Sequence, residues 1–334
     1  NTFRSVMLLL CTVILLFLPA IGFLLFLKLS DSSLNLLFWS IFGRRTEAGH
    51  WGDQVIWLVG ASSGIGESLA LRLSSLPRVR LILSSRREEL LQSLAKKCQD
   101  AGASCEILPM NICKMHTLSA ISRKANKVYD RKVTRLVLCS GRSQRAEWRD
   151  VSPEVDLECF TVNTLGPVQL TRQLLKERAG PAEDLQVIVV SSVGALVPAI
   201  LSASYGACKA ALSCYFRLLP IEEKGVSVSI VHPSLVYAPN NPLTAFTSEA
   251  GKANGEVLEQ PTSRHMSAGR AAELISLAAT HRILDCTISQ SPLVMAASII
   301  NAFSPGLISG YSTNLTIPSV LKHFLTSRLF KLIG

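Results

Sequence analysis

Between residues 54 and 233, short apolar runs alternate with longer stretches in which apolar positions recur at helical spacing. The runs are VIWLVG, VRLILSS, CEILPM, RLVLCS, LQVIVVSS and VSVSIVHP. Brief runs rich in Val, Ile and Leu are the pattern of strands buried on both faces, and strands separated by helices pair in parallel. A helix is predicted after the first run as far as residue 76, another over 88–101, and a third from Met115. The predicted fold is therefore α/β, a doubly wound parallel sheet in a single domain over residues 51–290. Such a sheet binds its ligand at the carboxyl ends of its strands.

Three regions fall outside this alternation. Residues 6–27 carry no charge, and a helix of that length spans about 33 Å, which matches a bilayer core. A transmembrane anchor over residues 1–30 is expected. A signal peptide is the weaker alternative, because its apolar core is usually ~7–15 residues and ends at a small-residue cleavage site. Residues 31–50 read as a linker. Residues 237–266, rich in Asn, Pro, Ser, Gly and Thr, read as a substrate lid or a surface loop. Residues 291–334 read as an apolar and basic tail, in which Leu321, Phe324, Leu325, Leu329, Phe330 and Leu332 alternate with Lys322, His323, Arg328 and Lys331. A helix of that kind lies in a membrane interface or packs on the domain.

Charge sharpens the membrane reading. The net charge is +10, but the cations are scattered and form no stripe that would track a nucleic acid, so no nucleic-acid partner is expected. An anionic membrane surface suits the excess better. The nine cysteines are an odd number without C-x-x-C spacing, which argues against a zinc site and a disulfide framework; free thiols and no metal are expected.

Two stretches carry chemistry. In VIWLVGASSGIGESLALRL a buried strand meets Gly60, Gly64 and Gly66 and then a helix. Glycines let the backbone approach a pyrophosphate, and the helix N-terminus favours its charge. Ser62 and Ser63 add hydroxyls. At the end of the second strand an NAD site carries an acidic residue for the ribose hydroxyl, whereas this chain has Ser85 and Arg86, and a cation there suits the 2′-phosphate of NADP(H). In SSVGALVPAILSASYGACKAAL, Ser192 precedes Tyr205, and Lys209 follows one helical turn later on the same face.

With TVNTLG around Asn163, these motifs resemble the short-chain dehydrogenase/reductase family, with its Rossmann-type fold, over about residues 54–272. GRSQRAEW, the N-terminal apolar run and the apolar tail resemble more narrowly that family's membrane-associated member-seven group. The resemblance implies that Tyr205 is the general acid/base and that the Lys209 ammonium lowers the phenol pKa and binds the nicotinamide ribose. Ser192 would bind the substrate oxygen together with Tyr205, and Asn163 would hold a water linking Lys209 to solvent. It adds Ile65, Asn111, Ile112, Gly141, Pro233 and Val236 to the cofactor site. It also implies a hydrophobic substrate such as a steroid, a retinoid or another lipid-like ketone, an endoplasmic-reticulum membrane, and a homodimer.

Several positions depart from the family pattern. Val59 stands for Thr, Leu138-Cys139-Ser140-Gly141 for Asn-Asn-Ala-Gly, Asn111 for Asp, Pro233-Ser234 for Pro-Gly, and Ala238 for a hydroxyl residue. Pro220 should kink the helix that carries Tyr205. Losing both asparagines favours the alternative function, a catalytically weak cofactor-binding scaffold of the same fold.

Overall fold

In the computed structural model, Val55–Val59 (β1), Arg80–Ser84 (β2), Ser104–Ile107 (β3), Arg135–Leu138 (β4), Leu185–Val190 (β5), Val226–Pro233 (β6) and Asp285–Ile288 (β7) form one sheet. Its order is β7-β6-β5-β4-β1-β2-β3, and every neighbouring pair is parallel. The structure describes residues 30–43, 47–178, 184–238 and 265–304, with a few isolated positions before residue 30 and between 239 and 264. The first six strands are the predicted runs. The seventh, DCTI, is too short and too polar to stand out in the sequence. Every residue of β1, β4 and β5 is buried, as expected of parallel strands covered on both faces.

The helices are Leu34–Phe42 (α1), Glu47–Trp51 (α2), Gly64–Ser74 (α3), Glu88–Asp100 (α4), Leu118–Ala125 (α5), Pro153–Phe160 (α6), Gly166–Lys176 (α7), Ala203–Glu222 (α8), Ala268–Thr280 (α9) and Pro292–Phe303 (α10). Helix α4 shows why these segments settle on the sheet. It buries Leu91, Leu94, Ala95 and Cys98 on one stripe and opens with Glu88 and Glu89, which favour the positive end of its dipole. Two cores result. One packs Leu58, Leu69, Leu81 and Ile275 on one face of the sheet, and the other packs Trp57, Ile82, Leu136 and Phe216. Helix α8 ends two residues after Pro220.

Of residues 31–50, expected as a linker, the described stretches 31–43 and 47–50 dock on the domain. Ser32 bridges Ile288 of the edge strand, Asn35 Nδ2 donates to Asp285 O at 2.7 Å, and Arg270 pairs with Asp31. Leu36 and Trp51 are fully buried, and the Trp51 indole donates to Thr280 Oγ1. A parallel sheet whose edge strand would otherwise present unpaired backbone is covered in this way. Helix α10, expected as part of the tail, likewise buries Val294, Met295 and Ala297. All but three isolated positions of the anchor segment 6–27 lie outside the described residues, as do the amphipathic stretch after residue 319 and most of the lid. Among the described residues no helix is long and apolar enough to cross a membrane. The lid's two ends are tied, because Val236–Tyr237 pairs in parallel with Met266–Ser267. The eight described cysteines are unpaired.

Candidate active site

The chain lays β2 and β3 on one side of β1 and β4 on the other, so a crevice opens where the order reverses. A cleft of about 1110 Å³ occupies that end of the sheet. It is lined by Gly60, Ser62, Ser63, Gly64, Ile65, Gly66, Arg86, Asn111, Ile112, Gly141, Ser192, Tyr205, Lys209, Pro233 and Val236. Every site residue expected from sequence is there except Asn163, which lies fully buried beneath the floor.

Only glycine fits the turn after β1. Gly60 has φ +90°, and a Cβ on it would lie 2.6 Å from Ser140 N and 2.7 Å from Cys139 C at the end of β4. A Cβ on Gly66 would sit 2.2 Å from Gly60 O. This packing holds the first turn of α3, whose N–H groups have no intrahelical partners, against the cleft.

Two arginines follow β2. Arg86 lines the cleft as expected, and its charge reaches Cys113 and Arg142. Its neighbour Arg87 carries no expectation from sequence. The Arg87 guanidinium donates to Ser62 Oγ at 2.9 Å and Ser63 Oγ at 2.8 Å. The serine hydroxyls expected to face phosphates therefore also hold a cation beside the glycine turn. Asn111 lines the cleft, and its Oδ1 accepts from Cys113 N at 3.0 Å.

At the other end, Ser192 caps the turn Val193–Ala195, and its Oγ accepts from Gly194 N at 3.1 Å. Tyr205 and Lys209 project from α8. Lys209 Nζ donates to Val190 O at 3.1 Å and lies 5.8 Å from the Tyr205 ring centroid. Burial lowers the Lys209 ammonium to about 8. The expected lowering of the Tyr205 phenol does not hold here. Burial raises it, opposed by the hydrogen bond with the Ser192 hydroxyl. Desolvation penalises whichever form is charged, phenolate or ammonium, and it outweighs their mutual attraction when the ammonium is turned to a carbonyl.

Asn163 sits in a π-helical turn, Thr161–Leu165, which breaks the path from α6 to α7. Its Oδ1 accepts from Arg142 N at 3.0 Å, and its Nδ2 donates to Arg142 O at 2.8 Å and Cys159 O at 2.9 Å. The side chain thus fixes the loop after β4. In that loop burial pushes the Cys139 thiol up to about 12.

The residues present fit a dinucleotide. Ser140 Oγ and Ser234 Oγ are buried without a partner, and both residues line the cleft. A Cβ on Gly141 would intrude to 2.9 Å from Asn163 Oδ1 and 3.2 Å from Lys209 Nζ, so the floor between the two ends is kept clear. Val193, Gly194, Leu157 and Ser202 also line the cleft with Arg142 and Ser143, and Val294 of α10 joins them. Val294 carries no signal in the sequence, because only the packing of α10 brings it here.

A nucleotide-binding sheet with a Ser-Tyr-Lys group at the carboxyl ends of its strands defines an oxidoreductase. The profile of the short chain dehydrogenase family matches residues 54–245, and the chain belongs to that family. A mouse protein, "Dehydrogenase/reductase SDR family member 7", is 31% identical over 87% of this chain and 85% of its own length. Among solved structures, a Burkholderia phymatum short chain dehydrogenase/reductase in complex with NAD superimposes with a TM-score of 0.66 at 20% identity, covering 80% of this chain and 98% of that one. A Thermococcus sibiricus alcohol dehydrogenase complexed with 5-hydroxy-NADP gives 0.59 at 21% identity, covering 71% and 96%.

Proposed function

We propose that the protein is a membrane-anchored, NADP(H)-dependent oxidoreductase that interconverts a carbonyl and an alcohol on a hydrophobic substrate, with the endoplasmic reticulum as its compartment. The observation that carries this reading is the convergence of Ser192, Tyr205 and Lys209 at one end of a cleft whose other end holds a glycine turn and two arginines. The uncharged run at residues 6–27 and the net charge of +10 support the membrane. Val193 and Val294, packed together and lining the cleft, support an apolar substrate.

When bound, the nicotinamide supplies or accepts the hydride. The chain's own residues manage the proton and the substrate oxygen. Tyr205, its phenol raised by burial, stays protonated at neutral pH and gives its proton to the carbonyl oxygen as charge develops there. Ser192 Oγ holds that oxygen. Lys209, lowered to about 8, is an ammonium at neutral pH that binds ribose hydroxyls and can return a proton to the phenolate. Oxidation runs the same steps backwards and needs the phenolate.

The test is NADPH binding by fluorescence, followed by its oxidation against a panel of lipophilic ketones. Tight binding with no turnover on any ketone or alcohol would favour the scaffold reading. Cofactor choice is separable. Fold neighbours bind either NAD or an NADP derivative, so the preference rests on Arg86 and Arg87. Arg86→Asp removes a charge-assisted contact worth about 1.5–3 kcal/mol and adds a repulsive one. The expected result is a fall in kcat/KM for NADPH of roughly ten- to hundredfold, with NADH changed little. A wild type indifferent to the two cofactors would leave Arg86 as an ordinary helix-start residue.

A further inference from the structure

Behind the cleft, a row of polar side chains links the element that carries Ser192 to the helix that carries Tyr205 and Lys209. His232 of β6 is fully buried and lies outside the cleft lining. Its Nδ1 is 3.1 Å from Ser192 O. A carbonyl can only accept, so Nδ1 carries a proton and donates it there. The other ring nitrogen, Nε2, is 3.0 Å from Asp285 Oδ1, off the line of an ideal hydrogen bond. Strand register brings the two together. β6 and β7 run parallel with His232 opposite Thr287, and Asp285, two residues before Thr287, shares that face of the sheet. Asp285 is held in turn from two sides. Arg217 Nε donates to its Oδ2 at 2.8 Å, and its backbone O accepts from Asn35 of α1 at 2.7 Å. Arg217 sits on α8, the helix of Tyr205 and Lys209.

We infer that His232 is a positioning residue for Ser192, oriented by Asp285 and Arg217, an inference that rests on the oxidoreductase reading above. Ser192 O also accepts from Ala195 N at 3.0 Å, and Ser192 Oγ accepts from Gly194 N at 3.1 Å. The serine therefore opens a tight turn that the imidazole holds from behind. Ser191, one residue earlier, is tied to α8 directly through Ser213 Oγ at 2.8 Å. Ser192 is tied to the same helix through His232, Asp285 and Arg217 in sequence. The arrangement matters because Ser192 and Tyr205 must meet one substrate oxygen between them. A misplacement of about 1 Å in such a constellation can cost a hundredfold in rate.

Two variants of the full chain test this. His232→Phe keeps a ring and removes both nitrogens, and His232→Asn restores a donor near the Nδ1 position. The first readout needs no turnover. It is hydrogen exchange of the Gly194 and Ala195 amides, which donate to Ser192. His232→Phe should speed that exchange by about tenfold or more while β1 is unchanged, and His232→Asn should slow it again. The second readout is kcat with NADPH and a lipophilic ketone that the wild type reduces. His232→Phe should lower it roughly ten- to hundredfold, with NADPH affinity by fluorescence within a few-fold, and His232→Asn should recover most of the loss. In a Ser192→Ala background the same change should cost little, because the hydroxyl it positions is gone. Unchanged exchange at the turn overturns the assignment. So does a fall in kcat that is equal for the two substitutions, or as large without the Ser192 hydroxyl as with it. If His232→Phe does not fold, Asp285→Asn takes its place with both effects expected in the same direction, and no change in either overturns the assignment. Failure of the oxidoreductase reading looks different: the wild type would then reduce no ketone, while exchange at the turn would still respond to His232.

Discussion

Tyr205→Phe lowers kcat by about a thousandfold while NADPH affinity stays within a few-fold, the size of loss expected when a positioned proton donor is removed. The ring survives the change. It packs against the cluster of Val155, Cys159 and Cys208, none of which depends on the hydroxyl. What disappears is the proton that must reach the substrate oxygen as the hydride arrives. The structure adds a pH signature. Because burial raises the phenol, ketone reduction should be flat through neutral pH, whereas alcohol oxidation, which needs the phenolate, should accelerate as pH rises. Stopped-flow rates in both directions for wild type and variant check this. Reduction surviving at more than a few per cent in the variant would remove Tyr205 from the proton path.

The sheet and the cleft floor were legible in the sequence, and the reasons are physical. Most of the strands announce themselves because parallel strands are covered on both faces, so LQVIVV cannot be mistaken for a surface segment, whereas the edge strand β3 alternates exposed and buried positions. Gly60 and Gly66 are readable because the backbone geometry they serve admits nothing larger. Residues 31–50 were less legible. What docks α1 is a bridge from Ser32 to Ile288 and a hydrogen bond from Asn35 to Asp285, each joining positions more than two hundred residues apart in the chain. The sequence does not distinguish Arg87 from Arg86, because adjacent residues in a loop do not declare which side chain turns back to the glycine turn. Ser140 and Ser234 registered only as deviations, since an unpaired hydroxyl is a property of three-dimensional surroundings.

The direction of the Lys209 shift was also beyond sequence, and it leads to an expectation of opposite signs for stability and function. Lys209 is 3% exposed, and its pKa falls from 10.5 to about 8 on folding. Between those values the unfolded chain holds more protons than the folded one, so this group makes stability rise with pH across the window, and it costs most below about pH 8. That cost is roughly 3 kcal/mol. In Lys209→Met the charge is gone and the stem is kept, while Val190 O loses its donor, at about 1 kcal/mol. The cofactor-free variant should therefore be more stable at pH 7, by roughly 5 °C in thermal midpoint. The wild-type midpoint should climb towards the variant's as pH rises to about 10, with the groups common to both cancelling in the difference. Function moves the other way. Without the ammonium, NADPH affinity should fall more than about tenfold as the ribose hydroxyls lose their donor, and kcat by roughly a hundredfold as the phenolate loses its proton source. A variant less stable than wild type at pH 7 would show that Lys209 is buried as a net stabilising partner of Val190, and unaltered NADPH affinity would take the ribose contact away from it.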